Sequence, residues 1–383
     1  MVISEPMEDG GPCLLATPGP KPRNRPKIDP SGWRTPDLGG LKGRQPAAGS
    51  GIRSRHATMA AVTTIGLVLG AGGLHAAAHH AGTLAALAEA TGWDPRTADV
   101  VVGTSAGATT AVSLRAGLSA ADHRSYYSRT PLSAEGQALV SRVTTPLDLK
   151  NPSDQPARRL PANPMLVVRE LLSTGRPRPV VSLAGLLPIG THDGSSLADR
   201  MREMHSDRWP DHPTWICAVD LDSGRRVVLG RDDVDTDVGS AVQASSAVPG
   251  WFVPVEVDGR RLVDGGVHST TNADLVAALA LDVVVVASSK TVGGIAGSAG
   301  GDGSLARAWH GRTLRREVEA VRRQGAAVLV LEPTVTDLAR RPVDDRADVG
   351  LAEVCEAARI STLARLALPE AAAARRLLDS VAP

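Results

Sequence analysis

The pentapeptide Gly103-Thr104-Ser105-Ala106-Gly107 constrains this chain more than any other stretch. It follows the apolar run Asp99-Val100-Val101-Val102 and precedes the small, helix-compatible run Ala108-Thr109-Thr110-Ala111-Val112. That context reads as strand, sharp turn, helix. A serine at such a turn stands at the top of a sheet with its hydroxyl exposed. Gly103 and Gly107 let strand and helix approach where a Cβ would clash. The helix that follows aims its first N–H groups at any negative charge developing near Ser105. With 39 glycines in 383 residues the bare pattern arises readily by chance, so its flanks carry the argument.

The rest of the ordered region repeats this grammar. Thr64-Ile65-Gly66-Leu67-Val68-Leu69 is a short apolar strand, followed by the glycine-rich loop Gly70-Ala71-Gly72-Gly73. An Ala-rich helix is expected from Ala76 to Ala90, ended by Gly92. The helix after Ser105 is expected to stop at Gly117. This β-α-β-α order predicts an α/β fold with a mostly parallel central sheet and helices on its faces. Further strands are expected at Thr214–Asp220 and Arg226–Leu229, joined as a hairpin through Asp222-Ser223-Gly224, and at Val283–Ala287 and Ala327–Leu331. Leu314, Val318 and Val321 recur at helical spacing on a segment rich in Arg307, Arg312, Arg315, Arg316, Arg322 and Arg323. A solvated helix face explains that arginine crowd more simply than a headgroup-binding surface does.

Composition sets the outer limits. Hydrophobic residues make up 42% of the chain but aromatics only 2%, so Ala, Val and Leu must fill the core. A net charge of +1 gives no ground for nucleic-acid binding. Three scattered cysteines, Cys13, Cys217 and Cys355, show neither a disulfide framework nor a zinc spacing and fit a reducing compartment. Cys217 reads as a small buried hydrophobe. No eighteen-residue apolar run exists, so no transmembrane helix is expected, and the N-terminus does not read as a signal peptide. Residues 1–58 hold nine prolines and nine glycines with little apolar periodicity and read as a disordered leader. Residues 130–190 are proline-rich, with one helix expected at Met165–Leu172, and read equally as a lid or a plain surface excursion.

A serine hydroxyl is a weak nucleophile and needs a base and oxyanion donors. Gly72 and Gly73 lie past the first strand, at the same carboxyl edge of the sheet as Ser105, where their N–H groups could converge on one oxygen. Gly70-x-Gly72 also suggests a dinucleotide-binding loop. That fingerprint wants a third glycine three residues later, where this chain has His75. For the base, the order Ser105, Asp264, His268, His310 matches an α/β-hydrolase triad, but Ser105 comes too early in the ordered region for that fold. The alternative is a Ser–Asp pair. Leu262-Val263-Asp264-Gly265-Gly266 places a carboxylate at a strand end, where burial would raise its basicity. His75, His79 and His80 share the first helix without a carboxylate motif, a poor metal signature.

Taken together, Gly70-Ala71-Gly72-Gly73, Gly103-Thr104-Ser105-Ala106-Gly107 and Asp264-Gly265-Gly266, in this order, resemble the patatin-like phospholipase family. The block Ala244-Ser245-Ser246-Ala247-Val248-Pro249-Gly250-Trp251-Phe252-Val253-Pro254 and Asn272 add to the likeness. The resemblance covers residues 64–290. It implies a three-layer α/β/α domain over 62–290 that hydrolyses acyl-lipid esters, with Ser105 as nucleophile, Asp264 as base and Gly72 and Gly73 as oxyanion donors. No metal or organic cofactor is implied. The family's loop often carries an arginine followed by glycine, and here His75 and Ala76 take those places. Residues 291–383 are expected to form an α/β extension on the same domain. The expected setting is cytoplasmic, with peripheral membrane contact. The rival functions are a non-catalytic lipid-binding protein and a nucleotide-binding oxidoreductase. The oligomeric state is not legible.

Overall fold

Short valine-rich strands alternate with helices from residue 65 onward. In chain order the elements are β1 (Ile65–Leu69), α1 (Gly73–Thr91), β2 (Val100–Thr104), α2 (Ala106–Ala116), α3 (Ala120–Ser128), α4 (Ala134–Val140), α5 (Pro164–Leu172), α6 (Pro179–Leu186) and α7 (Ser195–His205). There follow β3 (Thr214–Asp220), β4 (Arg226–Leu229), α8 (Val238–Ser245), β5 (Val255–Val257), β6 (Arg260–Asp264), β7 (Val283–Ala287), α9 (Leu305–Arg322), β8 (Ala327–Leu331), α10 (Val335–Ala339), α11 (Leu351–Leu366) and α12 (Ala372–Asp379). The computed structural model describes residues 63–149, 160–172, 179–206, 208–293, 305–339 and 350–382. The expected leader at 1–58 lies outside them.

The strands form one mixed sheet in the order β5-β6-β3-β2-β1-β7-β8, with β4 also pairing β3. β1, β2, β3, β7 and β8 run parallel, while β4 and β6 run antiparallel to β3 and β5 runs antiparallel to β6. Successive side chains on a strand point to opposite faces, and this splits the core in two. Ile65, Leu67, Leu69, Val101, Ile216, Val283 and Val285 pack on one side with α1, α2, α7, α8 and α12. Val68, Val100, Val102, Cys217, Val284 and Val286 pack on the other with α9 and the 3₁₀ segment Ala273–Leu279. The result is a three-layer α/β/α arrangement, as the strand-helix order predicts. Cys217 is fully buried in it.

Helix α1 explains its own composition. It is buried along most of its length, with the sheet on one side and α11 on the other. An amphipathic stripe would be useless there, and a nearly all-round small apolar surface is required. A Cβ at Gly82 would strike the Cys355 carbonyl of α11, so the two helices cross at backbone contact. Leu84 and Leu87 are fully buried, each worth about 1.5–3 kcal/mol. The helix starts at Gly73, three residues before the expected Ala76, and ends at Gly92 in the left-handed conformation.

One stretch is more regular than its composition suggests. Prolines in 130–190 mask three helices rather than one, α4, α5 and α6, with 150–159 and 173–178 outside the described residues. Proline opens both α5 and α6, where its missing N–H does no harm. The α5–α6 pair packs through Leu166, Val181 and Ala184 onto Val219, Leu221, Val263 and Val267.

Candidate active site

Ser105 sits between β2 and α2 with φ 55° and ψ −119°, a left-handed φ that a non-glycine residue adopts only when its surroundings hold it. Those surroundings are visible. A Cβ at Gly107 would strike the Leu69 carbonyl, and one at Gly103 would lie 2.6 Å from Ala108 Cα. Both glycines are therefore steric requirements of the turn. Ser105 N–H donates to Ser245 Oγ (2.9 Å), and that hydroxyl donates to the Cys217 carbonyl (2.6 Å). Although Ser105 stands at the N-cap of α2, its side chain does not cap the helix.

Strand register brings the acid to the serine. Thr104 pairs with Cys217 across β2–β3, and Ala218 pairs with Asp264 across β3–β6. Asp264 therefore stands across from Ala218, the residue of β3 that follows the partner of Thr104. The Ser105 hydroxyl is near enough to the Asp264 carboxylate to stabilise its charged form. Asp264 Oδ1 also accepts from Gly266 N–H (2.7 Å), and Asp264 N–H donates to the Ala247 carbonyl (2.9 Å). Gly265 and Gly266 form a 3₁₀ turn, Gly265–Val267. A Cβ at Gly265 would strike the Cys217 carbonyl.

Ser105 is 7% exposed and Asp264 is 6% exposed. Burial pushes the Asp264 pKa up to about 6, against the lowering effect of the Gly266 N–H, the Ser105 hydroxyl and the Lys290 charge. A carboxylate at that pKa is a better proton acceptor than one in water and is still ionised at neutral pH.

The glycine-rich loop faces this pair from β1. Gly70 N–H donates to the Ala287 carbonyl (3.0 Å) and Ala71 N–H to the Thr270 carbonyl (2.7 Å), which fixes the loop to β7 and to the segment after Asp264. Gly72, φ 148°, is the N-cap of α1, and Gly73, φ 65°, opens the helix. The N–H groups of a first helical turn have no intrahelical acceptor and point out of the helix end. Gly266 lies near this loop, its own Cβ position being 3.5 Å from Ala71 Cβ. The site residues read from the sequence therefore converge at one edge of the sheet.

His268 follows the Gly265–Val267 turn, its N–H donating to the Gly265 carbonyl (3.0 Å). His268 acts electrostatically on Asp274, and His310 on α9 is kept neutral by burial and by the charges of Lys290 and Arg307. His75 is fully buried in α1 at the place of a dinucleotide loop's third glycine. Among the described residues no group of three or more His, Cys, Asp or Glu side chains could hold a metal ion.

Three sets of supporting contacts become visible only in the fold. Ser245 and Ala247, in the block before Asp264, bind the Ser105 and Asp264 backbones, so one segment ties both together. Asn272, left-handed at φ 55°, donates to Thr104 Oγ1 (3.1 Å) and to the Ser269 carbonyl (2.7 Å), and accepts from Arg226 Nη1 (3.1 Å). Glu317 on α9 accepts from Thr271 Oγ1 and from Ala273 N–H (3.0 Å), and burial raises its pKa to about 7. The block holding Ser245 and Ala247, and Asn272 after Asp264-Gly265-Gly266, stood out in the sequence through the family likeness, while Glu317 had no sequence signal.

The family model for patatin-like phospholipase matches residues 67–277, a span that opens in β1 and includes Ser105, Asp264 and the loop between β1 and α1. More than half of the chain lies within that match, and the chain belongs to the patatin-like phospholipase family.

Proposed function

We propose that the chain hydrolyses lipid acyl esters with Ser105 as nucleophile and Asp264 as its only base. Membership of a lipid acyl hydrolase family supports the reaction class. The observation that supports the residue assignment is the buried Asp264 carboxylate beside the buried Ser105, its pKa raised to about 6 by burial. As Ser105 Oγ attacks the ester carbonyl carbon, its proton passes to Asp264 and the carbonyl electrons move onto oxygen. The N–H groups of Gly72, Gly73 and Ala106, at the first turns of α1 and α2, receive that oxyanion. Collapse of the intermediate expels the alcohol, which takes the proton from Asp264. Water then attacks the acyl-serine as Asp264 accepts its proton, and the acyl–Oγ bond breaks to release the carboxylic acid while Ser105 Oγ takes that proton back. The scheme uses no metal or organic cofactor.

Access to a lipid surface has a structural basis. Met165, Val168, Leu183 and Leu186 are exposed on the α5–α6 pair, whose inner face packs beside Val263 and Val267 around Asp264. An apolar rim there suits peripheral contact with a bilayer or micelle. No helix of the described residues is long and apolar enough to cross a membrane.

Purified protein assayed on acyl esters of graded chain length tests the reading. Turnover abolished by Ser105→Ala supports it. Turnover unchanged in Ser105→Ala contradicts it, and lipid binding without turnover by the wild type would make the protein a non-catalytic lipid binder.

A further inference from the structure

Helix α9 turns one side to the core and a basic side to solvent. Leu314, Glu317, Val318 and Val321 are buried, against the sheet face that holds Val284 and Val286. Steps of three and four residues put Trp309, Arg312, Arg316, Glu319 and Arg323 on the opposite side of the helix. Arg312, Arg315, Arg316, Glu319 and Arg323 line one open depression, so four arginines and a single acid share it.

Arginines elsewhere on the described surface meet acids: Arg202 with Asp237, Arg226 with Asp274, Arg261 with Asp222, and Arg359 with Glu89 and Glu356. Among the described residues, Arg312, Arg315, Arg316 and Arg323 form no ion pair. Their internal contacts are slight: Arg315 acts electrostatically on Glu332, and Arg323 donates from Nε to the Glu319 carbonyl (3.3 Å). A merely solvated helix face interleaves the two signs of charge. This one is nearly all positive.

The stripe is also aimed at the site. α9 leaves the carboxyl end of β7 and returns to β8, which runs parallel to β7, so its Trp309 end lies toward the sheet edge that carries Ser105. Trp309 is 39% exposed. The α5–α6 pair belongs to the same outer layer. It packs on Val219, two residues from Cys217 on β3, and side chains two apart on a strand share a face. Exposed Met165, Val168, Leu183 and Leu186 therefore stand in one layer with Trp309 and the arginines. Aromatic and aliphatic side chains beside a cationic stripe suit the surface of an anionic bilayer, where arginines meet phosphates and the others enter the interface. A nucleic acid would offer the aliphatic side chains no hydrocarbon.

We propose that the outer face of α9 docks on an anionic lipid bilayer, with Arg312, Arg315, Arg316 and Arg323 on the headgroup phosphates and Trp309 at the interface. The proposal rests on the reading of the chain as a lipid acyl hydrolase, which selects a bilayer among anionic surfaces. Each arginine near such a surface is worth about fivefold in affinity.

The test is co-sedimentation of the full chain with large vesicles, using Ser105→Ala so that no lipid is consumed. The vesicles are phosphatidylcholine alone or with about 30 mol% phosphatidylglycerol. The anionic vesicles are expected to bind at least about tenfold tighter, an advantage lost between about 0.05 and 0.5 M salt. Arg312→Gln/Arg316→Gln/Arg323→Gln is expected to weaken that binding by about a hundredfold with an unchanged melting temperature, while the same three changes to lysine keep most of it. Trp309→Ala should weaken it severalfold without altering the salt dependence. With Ser105 in place, the glutamine variant should match the wild type in kcat/KM on monomeric dihexanoyl phosphatidylcholine. Equal binding to the two vesicles, or anionic binding unchanged in the glutamine variant, overturns the proposal and leaves the Ser105 assignment standing. Binding of a DNA duplex through the same arginines, without binding to anionic vesicles, overturns it in favour of a nucleic acid. Arginine-dependent vesicle binding in a wild type that turns over no ester supports the docking face and contradicts the Ser105 reading alone.

Discussion

At the scale of single residues, the fold places Asp264 where ionisation is unfavourable. Its folded pKa of about 6 stands above the ordinary aspartate value of 3.8. Protonated Asp264 is tolerated below pH 4, and the penalty grows as pH rises through 6, reaching about 3 kcal/mol at neutrality. Asp264→Asn removes that penalty. Its melting temperature relative to wild type should be near unchanged at pH 4 and several degrees higher at pH 7.5, with ester turnover lost. A variant less stable than wild type at pH 7.5 would contradict a strained carboxylate. The polar residues named at this scale were legible because chemistry needs them: a serine at a sharp turn and an acid at a strand end. Glu317 was not, because its contacts are made between distant elements, and only the tertiary packing shows that it meets Thr271 and Ala273.

At the scale of elements, the strands and the helices flanking Ser105 were readable to within a few residues. Continuous valine runs, suited to strands buried on both faces, and terminal glycines have local physical causes, and Gly92 and Gly117 end α1 and α2 in the left-handed conformation. The α4–α6 region was under-read because proline density suggests irregular chain, while proline at a helix start is harmless. The tie between α9 and the site is a tertiary property. Glu317 holds Thr271 and Ala273, which bracket Asn272, and Asn272 holds Thr104 beside Ser105. Glu317→Ala leaves a buried hydroxyl and a buried N–H without their acceptor and opens a cavity, which should destabilise the fold by about 2–4 kcal/mol in urea unfolding and lower kcat. Glu317→Gln keeps an acceptor oxygen and should lose far less. Equal effects of the two changes would show that volume alone matters.

At the scale of the whole molecule, the mixed sheet is what makes a two-residue site possible. A fully parallel sheet would carry the end of β6 to the same height as the end of β3. Running β6 antiparallel returns Asp264 to the level of Ala218, beside the position that follows Thr104. Four antiparallel-related elements, β3 to β6, thus carry the acid, while the parallel strands β1, β2 and β7 carry the serine and the glycine loop. This long-range pairing could be inferred from the sequence only through resemblance, because nothing local to Asp264 says which strand it joins. The account's central claim is that the carboxylate activates the serine with no imidazole between them. The most direct measurement is the rate of fluorophosphonate labelling, followed by intact mass and peptide mapping from pH 4.5 to 8.5. Wild type should be labelled once, at Ser105, with a rate that climbs with pH to a plateau through an apparent pKa of about 6. Asp264→Asn should be slower by about a thousandfold, and His268→Ala should keep the wild-type profile. Labelling at another residue, or His268→Ala as slow as Asp264→Asn, would contradict it.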